Sequence, residues 1–165
     1  MTTQRNWIRS PLSLRSSIGL AVGAYLLLCG APMAQDELET AGRMYVPTDL
    51  GYSRAVVTRG GDMVWVSGTP GPRDADGQPI TDFRGQARQA LRNLDATLRA
   101  LGSDLSDVVN ITVMLRDPRH YEAYAEVRRE FFTEGKYPAG AIFADVSFVN
   151  PDYLILLQAV AVVAR

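Results

Sequence analysis

The sequence predicts an α+β domain in which two helices pack on one face of a mixed sheet. Three observations carry that prediction. Two stretches repeat apolar residues at three- and four-residue steps. Several shorter stretches are rich in β-branched and aromatic residues, and segments dense in Gly and Pro separate them. Taken in order, the elements read ββ-α-β-α-ββ.

The first pair is "RAVVTR" (54–59) and "MVWVSG" (63–68), which Gly60, Gly61 and Asp62 join as a predicted hairpin. "TPGPRDADGQP" (69–79) is a loop. Asp74 and Asp76 before Gly77 suggest a calcium loop, but its remaining ligands are missing, so a solvated turn is expected. The first helix starts from Asp82 as N-cap, runs to Leu101 and stops at Gly102. Phe83, Ala87, Leu91, Leu94, Leu98 and Leu101 form its apolar face. "DVVNITVML" (107–115) is a strand ended by Asp117 and Pro118. The second helix spans about 118–132, with Tyr121, Tyr124, Val127 and Phe131 as its stripe. Two strands close the chain, "AIFADVSF" (141–148) and "YLILLQAVAVVA" (153–164), with a turn at Asn150 and Pro151.

From Leu154 to Ala164 only Gln158 is polar, so both faces of the last strand are apolar. Two helices cover one face of a sheet. The other needs a partner, and a second copy of the chain is the simplest one, which predicts an obligate homo-oligomer. The alternative is a central strand whose second face is covered by loops or by the segment that precedes the domain.

Residues 1–34 read as a signal peptide: Arg5, Arg9 and Arg15, then the apolar run "IGLAVGAYLLLCGAPMA", then a small residue at Ala34. A retained anchor, or a lipoprotein acylated at Cys29, are the rival readings; the apolar run is short for a span, and Leu28 is bulky beside Cys29. Residues 35–50 read as a polar, flexible lead-in and 51–165 as the folded domain. The expected location is periplasmic or secreted, with membrane-anchored or cytoplasmic as alternatives. Loss of the leader's three arginines takes 17 basic residues to 14 against 18 acidic ones, a net charge of −4. No basic footprint for nucleic acid is left, and none is expected as a partner. Cys29 is the only cysteine, so the exported domain has no disulfide, thiolate nucleophile or cysteine-based metal site.

No cofactor or metal motif appears: there is no phosphate loop, no GxSxG elbow and no HExxH. His120, the sole histidine, is expected to be a solvated surface residue, and Lys136, the sole lysine, a loop residue in water.

"GYSRAV", "VWVSGTPG", "QARQALRNLDATLRALG", "DVVNITVMLRD", "YEAYAEVRREFF", "YPAG" and "QAVAVVAR" occur in an order that resembles the RidA (YjgF) family of imine and enamine deaminases, over about residues 50–165. The resemblance implies a chorismate-mutase-like fold, a homotrimer, and small-molecule pockets at the subunit boundaries. In its deaminating members an arginine after Tyr/Phe-Pro-Ala grips the substrate carboxylate through a planar fork. That position here is Gly140. The glutamate thought to place the attacking water falls at Leu156, an asparagine of the second helix at Ala125, and a cysteine at Ile142, whereas Tyr52 and Ser67 are kept. The resemblance therefore implies a binding pocket formed by Tyr52, Ser67, Tyr121, Gly140, Ile142 and Leu156, more apolar than in the relatives and without their chemistry. Tyr121 reads equally as core stripe, and Ser67 as a strand-end hydroxyl bonded to backbone. Asp145 and Gln158 are the remaining polar candidates for orienting a water. The alternative is a deaminase acting on a substrate without a carboxylate, or gripping one through Arg54 or Arg73.

Overall fold

A computed structural model describes residues 39–40, 43–49 and 51–163; the leader assigned to 1–34 lies outside them. Strands β1 (Glu39–Thr40), β2 (Arg43–Pro47) and β3 (Ser53–Thr58) form an antiparallel sheet in that order. Strand β4 (Asp62–Pro70) leads to helix α1 (Phe83–Arg99), a 3-10 turn at Leu105–Asp107, and strand β5 (Val108–Leu115). A second 3-10 turn, Pro118–His120, opens helix α2 (Tyr121–Arg129), and β6 (Ala139–Phe143) and β7 (Ile155–Val163) complete the chain. The second sheet has the order β4-β7-β5-β6, with β7 antiparallel to both neighbours and β6 parallel to β5. This is the mixed α+β arrangement expected from the sequence.

Local chemistry explains the helix ends. The Asp82 side chain accepts from the Gly85 N–H at 2.7 Å and so satisfies one orphan donor of α1. Asp117 does the same for the turn before α2, accepting from the Arg119 N–H at 2.9 Å. The apolar stripe of α1 is buried against one face of the second sheet, where Val113, Leu157, Ala159 and Ala161 meet Leu91, Leu94 and Leu98. Tyr124 and Val127 of α2 are fully buried in the same layer, but Tyr121 is 41% exposed and leaves the stripe.

Three expectations are corrected. The hairpin across Gly60 and Gly61 does not form: β3 pairs with β2, while β4 pairs with β7 in the other sheet. The nine-residue apolar run of β7 offers β4 a longer partner, and the two glycines, both at positive φ, turn the chain between sheets rather than back on itself. Second, the lead-in contains a strand: Arg43 of β2 is buried and donates to the Asp107 carboxylate, the Val162 carbonyl (2.6 Å) and the Ser106 carbonyl (3.1 Å). Third, "AIFADVSF" is only partly a strand. It ends at Phe143, before Asp145 at φ 62°, and runs parallel to β5, because the α2 crossover returns the chain in the same direction.

The last strand takes the central place. Ile155, Leu157, Ala159 and Ala161 lie under the helices; Leu156, Gln158, Val160 and Val162 alternate onto the other face. β2 covers one end of that face through Arg43, leaving Val162 6% exposed. The rest is open in the single chain: Trp65 is 72% exposed, and Met63 and Phe143 each 56%.

Candidate functional site

The site is assembled where β5, α2 and β6 meet. The segment after α2 brings Tyr137 inward, and the start of β3 clamps it: the Ser53 hydroxyl donates to the Tyr137 carbonyl at 2.6 Å and the Ser53 N–H to the Pro138 carbonyl at 3.4 Å. This tie sets Tyr52 beside the beginning of β6. The result is a cavity of about 170 Å³. Its floor is apolar, from Ile111 and Val113 of β5 and Ile142 of β6; its walls carry Tyr52, Tyr121 and Arg128, and Pro138, Gly140 and Ala141 complete it.

Gly140 is built into this geometry. Its φ is 157°, and a Cβ placed on it would lie 1.8 Å from the Ile111 carbonyl oxygen, so β6 approaches β5 as only a glycine permits. Gly51, at φ 73°, sits over the guanidinium of Arg128, whose terminal nitrogen would be 3.3 Å from a Cβ there.

Arg128 was not foreseen. It is only 5% exposed, and its Cζ lies 5.5 Å from the centroid of the Tyr124 ring and 5.6 Å from that of Tyr137, within cation–π range of both. Burial pushes the Tyr124 hydroxyl up to about 12, and the neighbouring Arg128 charge only partly opposes that, so the ring stays neutral under ordinary conditions. Arg128 thus gives the cavity wall a cation that the sequence analysis did not name. The signal was present in the spacing: Tyr121, Ala125 and Arg128 stand at i, i+4 and i+7 on α2, one face of a helix.

Of the six residues named from sequence, Tyr52, Tyr121, Gly140 and Ile142 line this cavity and Ser67 and Leu156 do not. Ser67 is exposed on β4, at the bulge between Val66 and Thr69, and its carbonyl accepts from the Thr69 hydroxyl at 3.0 Å. Leu156 packs beside Gly68 on the face of β7 turned away from the helices. Gln158 is exposed on that same face. Asp145 lies apart, near Arg116 and Phe148. Arg54 is exposed on β3, and Arg73 donates to the Gly77 carbonyl in the 69–79 loop, so neither substitute arginine reaches the cavity. His120 is not a free surface residue: its ring stacks on Phe83 at 4.1 Å between centroids. Among the described residues that line the cavity, the polar side chains are one guanidinium and two phenols.

The family model for endoribonuclease L-PSP proteins matches residues 46–163. The chain belongs to that family. Among its relatives, the RutC family protein YjgH of Escherichia coli is 39% identical over 59% of this chain and 73% of its own length. The human 2-iminobutanoate/2-iminopropanoate deaminase is 30% identical over 67% of this chain and 79% of its own. Among solved structures, YyfB of Yersinia pestis, a member of the Rid family, has a TM-score of 0.65 at 22% identity. That match covers 74% of this chain and 99% of YyfB, a likeness of fold. The family membership read from the ordered motifs, that of the RidA proteins, is the one these comparisons give.

Proposed function

We propose that this chain is an exported, homotrimeric small-molecule-binding member of the RidA family that does not carry out imine deamination by the route of its deaminating relatives. The observation that carries the reading is the fit at Gly140. Where the deaminating members are expected to hold an arginine, this backbone leaves no room even for a Cβ. Loss of a charge-assisted pair to a substrate carboxylate costs on the order of 2–5 kcal/mol. The position expected for the water-placing glutamate is Leu156, which cannot polarise water. The fold, the cavity and its apolar floor remain, and these suit binding.

The open face of the second sheet supports the trimer. Met63, Trp65 and Phe143 form an apolar surface there whose burial by further copies is favourable. Native mass spectrometry tests this reading and the ligand together: the expected species is a trimer with a small molecule retained, and a monomeric, empty protein refutes the assembly. The deaminase test is a coupled assay with 2-iminopropanoate generated by an amino-acid oxidase. No acceleration is expected, and saturable turnover overturns the proposal. N-terminal sequencing of the secreted product checks export.

A second reading has one observation in its favour. Arg128 supplies the cavity with a cation, so hydrolysis of an imine held through that residue is a distinct deaminase mechanism. It requires turnover in the same assay that Arg128→Gln removes.

A further inference from the structure

We infer that a second cavity, between the end of β5 and the turn that follows β6, binds a small zwitterion: an amino acid whose carboxylate meets Arg116 and whose ammonium meets Asp145. Arg116, Asp145, Val146, Ser147, Phe148 and Pro151 line it. Its volume is about 300 Å³, at the lower end of the range of small-molecule sites, about 300–1,000 Å³. None of these residues lines the cavity beside α2, so the two sites stand or fall separately. Among the described residues of the lining, Arg116 and Asp145 carry the formal charges.

Backbone ties bring the two charges to one place. The Val146 N–H donates to the Leu115 carbonyl and the Arg116 N–H to the Leu154 carbonyl, both at 3.1 Å, so the turn after β6 is fixed against the end of β5. Yet the charges do not close on each other. No ion pair joins Asp145 to Arg116, and the Asp145 carboxylate has no partner among the described residues, whereas Arg43, Arg84, Arg88, Arg99 and Arg119 each pair with a carboxylate. Arg116 is held without being neutralised. Its Nε donates to the Tyr153 carbonyl at 2.7 Å and its Nη2 to the Asn150 carbonyl at 3.1 Å, and its Cζ lies 5.7 Å from the centroid of the Phe148 ring. These neutral contacts orient the fork, and Nη1 keeps its N–H donors without an acceptor among the described residues. Ordering that long side chain in advance lowers the entropic cost of binding.

Opposite charges in one wall select against a guest that carries a single charge. An anion bonds to Arg116 and is repelled by Asp145, and a cation meets the reverse. A guest with a carboxylate and an ammonium on one short frame makes a charge-assisted contact to each. Val146, Phe148 and Pro151 supply the apolar part of the lining, which suits a short aliphatic side chain on that frame.

The test titrates the full chain by calorimetry with leucine and with two analogues that each lack one of its charges, 4-methylpentanoate and 3-methylbutylamine. For the wild type, leucine is expected to bind at least about tenfold more tightly than either analogue. Asp145→Asn is expected to abolish the preference for leucine over 4-methylpentanoate, and Arg116→Gln the preference over 3-methylbutylamine. Asp145 is exposed, at φ 62°, and asparagine tolerates that left-handed backbone as aspartate does, so this variant removes the charge and keeps the turn. Equal affinities for leucine and its analogues in the wild type, a preference undiminished in Asp145→Asn, or no binding of leucine each overturn the inference. The wild-type comparison needs no variant, so a poorly folded Arg116→Gln does not shield it.

Discussion

Arg43 and Arg128 are equally hidden, each 5% exposed, yet the two regions around them differ in kind. Around Arg43 the protein supplies oxygen: the Asp107 carboxylate and the carbonyls of Val162 and Ser106 receive its terminal nitrogens, and the Ser103 hydroxyl donates to the same carboxylate at 2.7 Å. That arginine rivets β2 to the turn before β5 and to the end of β7. Around Arg128 the protein supplies aromatic rings and a cavity. Burial by itself says nothing about role. Arg43 ties elements of the fold together, whereas Arg128, packed against two aromatic rings, sets the polarity of a cavity wall.

The sharpest way to break this contrast is to remove Arg43. Arg43→Gln leaves Asp107 without its buried counter-charge and is expected to cost about 3–5 kcal/mol in denaturant unfolding. If the cost is instead small, Arg43 is not what ties β2 to the turn before β5 and to the end of β7. Gly140→Ala should come next, at about 3 kcal/mol, because it forces a Cβ onto the Ile111 carbonyl in a conformation that L-residues rarely adopt. For the same reason, Gly140→Arg should create no deaminase activity; stable folding with new turnover would show that β6 can move.

The alkaline limb of stability sharpens the Arg128 side. The folded Tyr124 hydroxyl titrates at about 12, above its ordinary value of 10.0. Its contribution is complete below pH ~10 and is lost as pH rises toward about 12, where the unfolded chain gives up its proton first. Wild-type protein should therefore lose on the order of 2 kcal/mol across that window, and Tyr124→Phe should flatten the slope. The smallest effect lies at the acid end. Hydrogen bonds from Arg119 hold Asp117 at about 2, below 3.8, so its contribution is present above about pH 4 and fades as pH falls to about 2. The pair is exposed and screened by salt, so Asp117→Asn should change the acid unfolding midpoint slightly and only at low ionic strength.

Much of this molecule was legible before its structure. Phe83, Leu91, Leu94 and Leu98 mark one helix face by spacing alone, and Asp82 announces where the helix begins. The replacement of an expected arginine by Gly140 could be read directly, and so could its place beside Tyr52 and Ile142. Other features were hidden for identifiable reasons. "RAVVTR" and "MVWVSG" each look like good strands, but nothing within them states that one pairs with β2 and the other with β7. Arg43 looked like a charge in a polar lead-in until a carboxylate 64 residues away received it. Ser67 and Leu156 were grouped with the cavity on sequence similarity, and the pleat of the sheet sends Leu156 to the opposite face while Ser67 stands exposed at the β4 bulge.

The amino-acid sequence alone determined the order of elements from β3 onward, the buried face of α1, the apolar character of the last strand and the glycine at position 140. These are properties of neighbours along the chain, where periods of 3.6 and 2 residues and the chemistry of caps operate. Only the tertiary structure decided which strands pair and that Arg128 stands in the cavity wall. Both depend on contacts between residues far apart in sequence, whose energies come from burial and from partners that local patterning does not record.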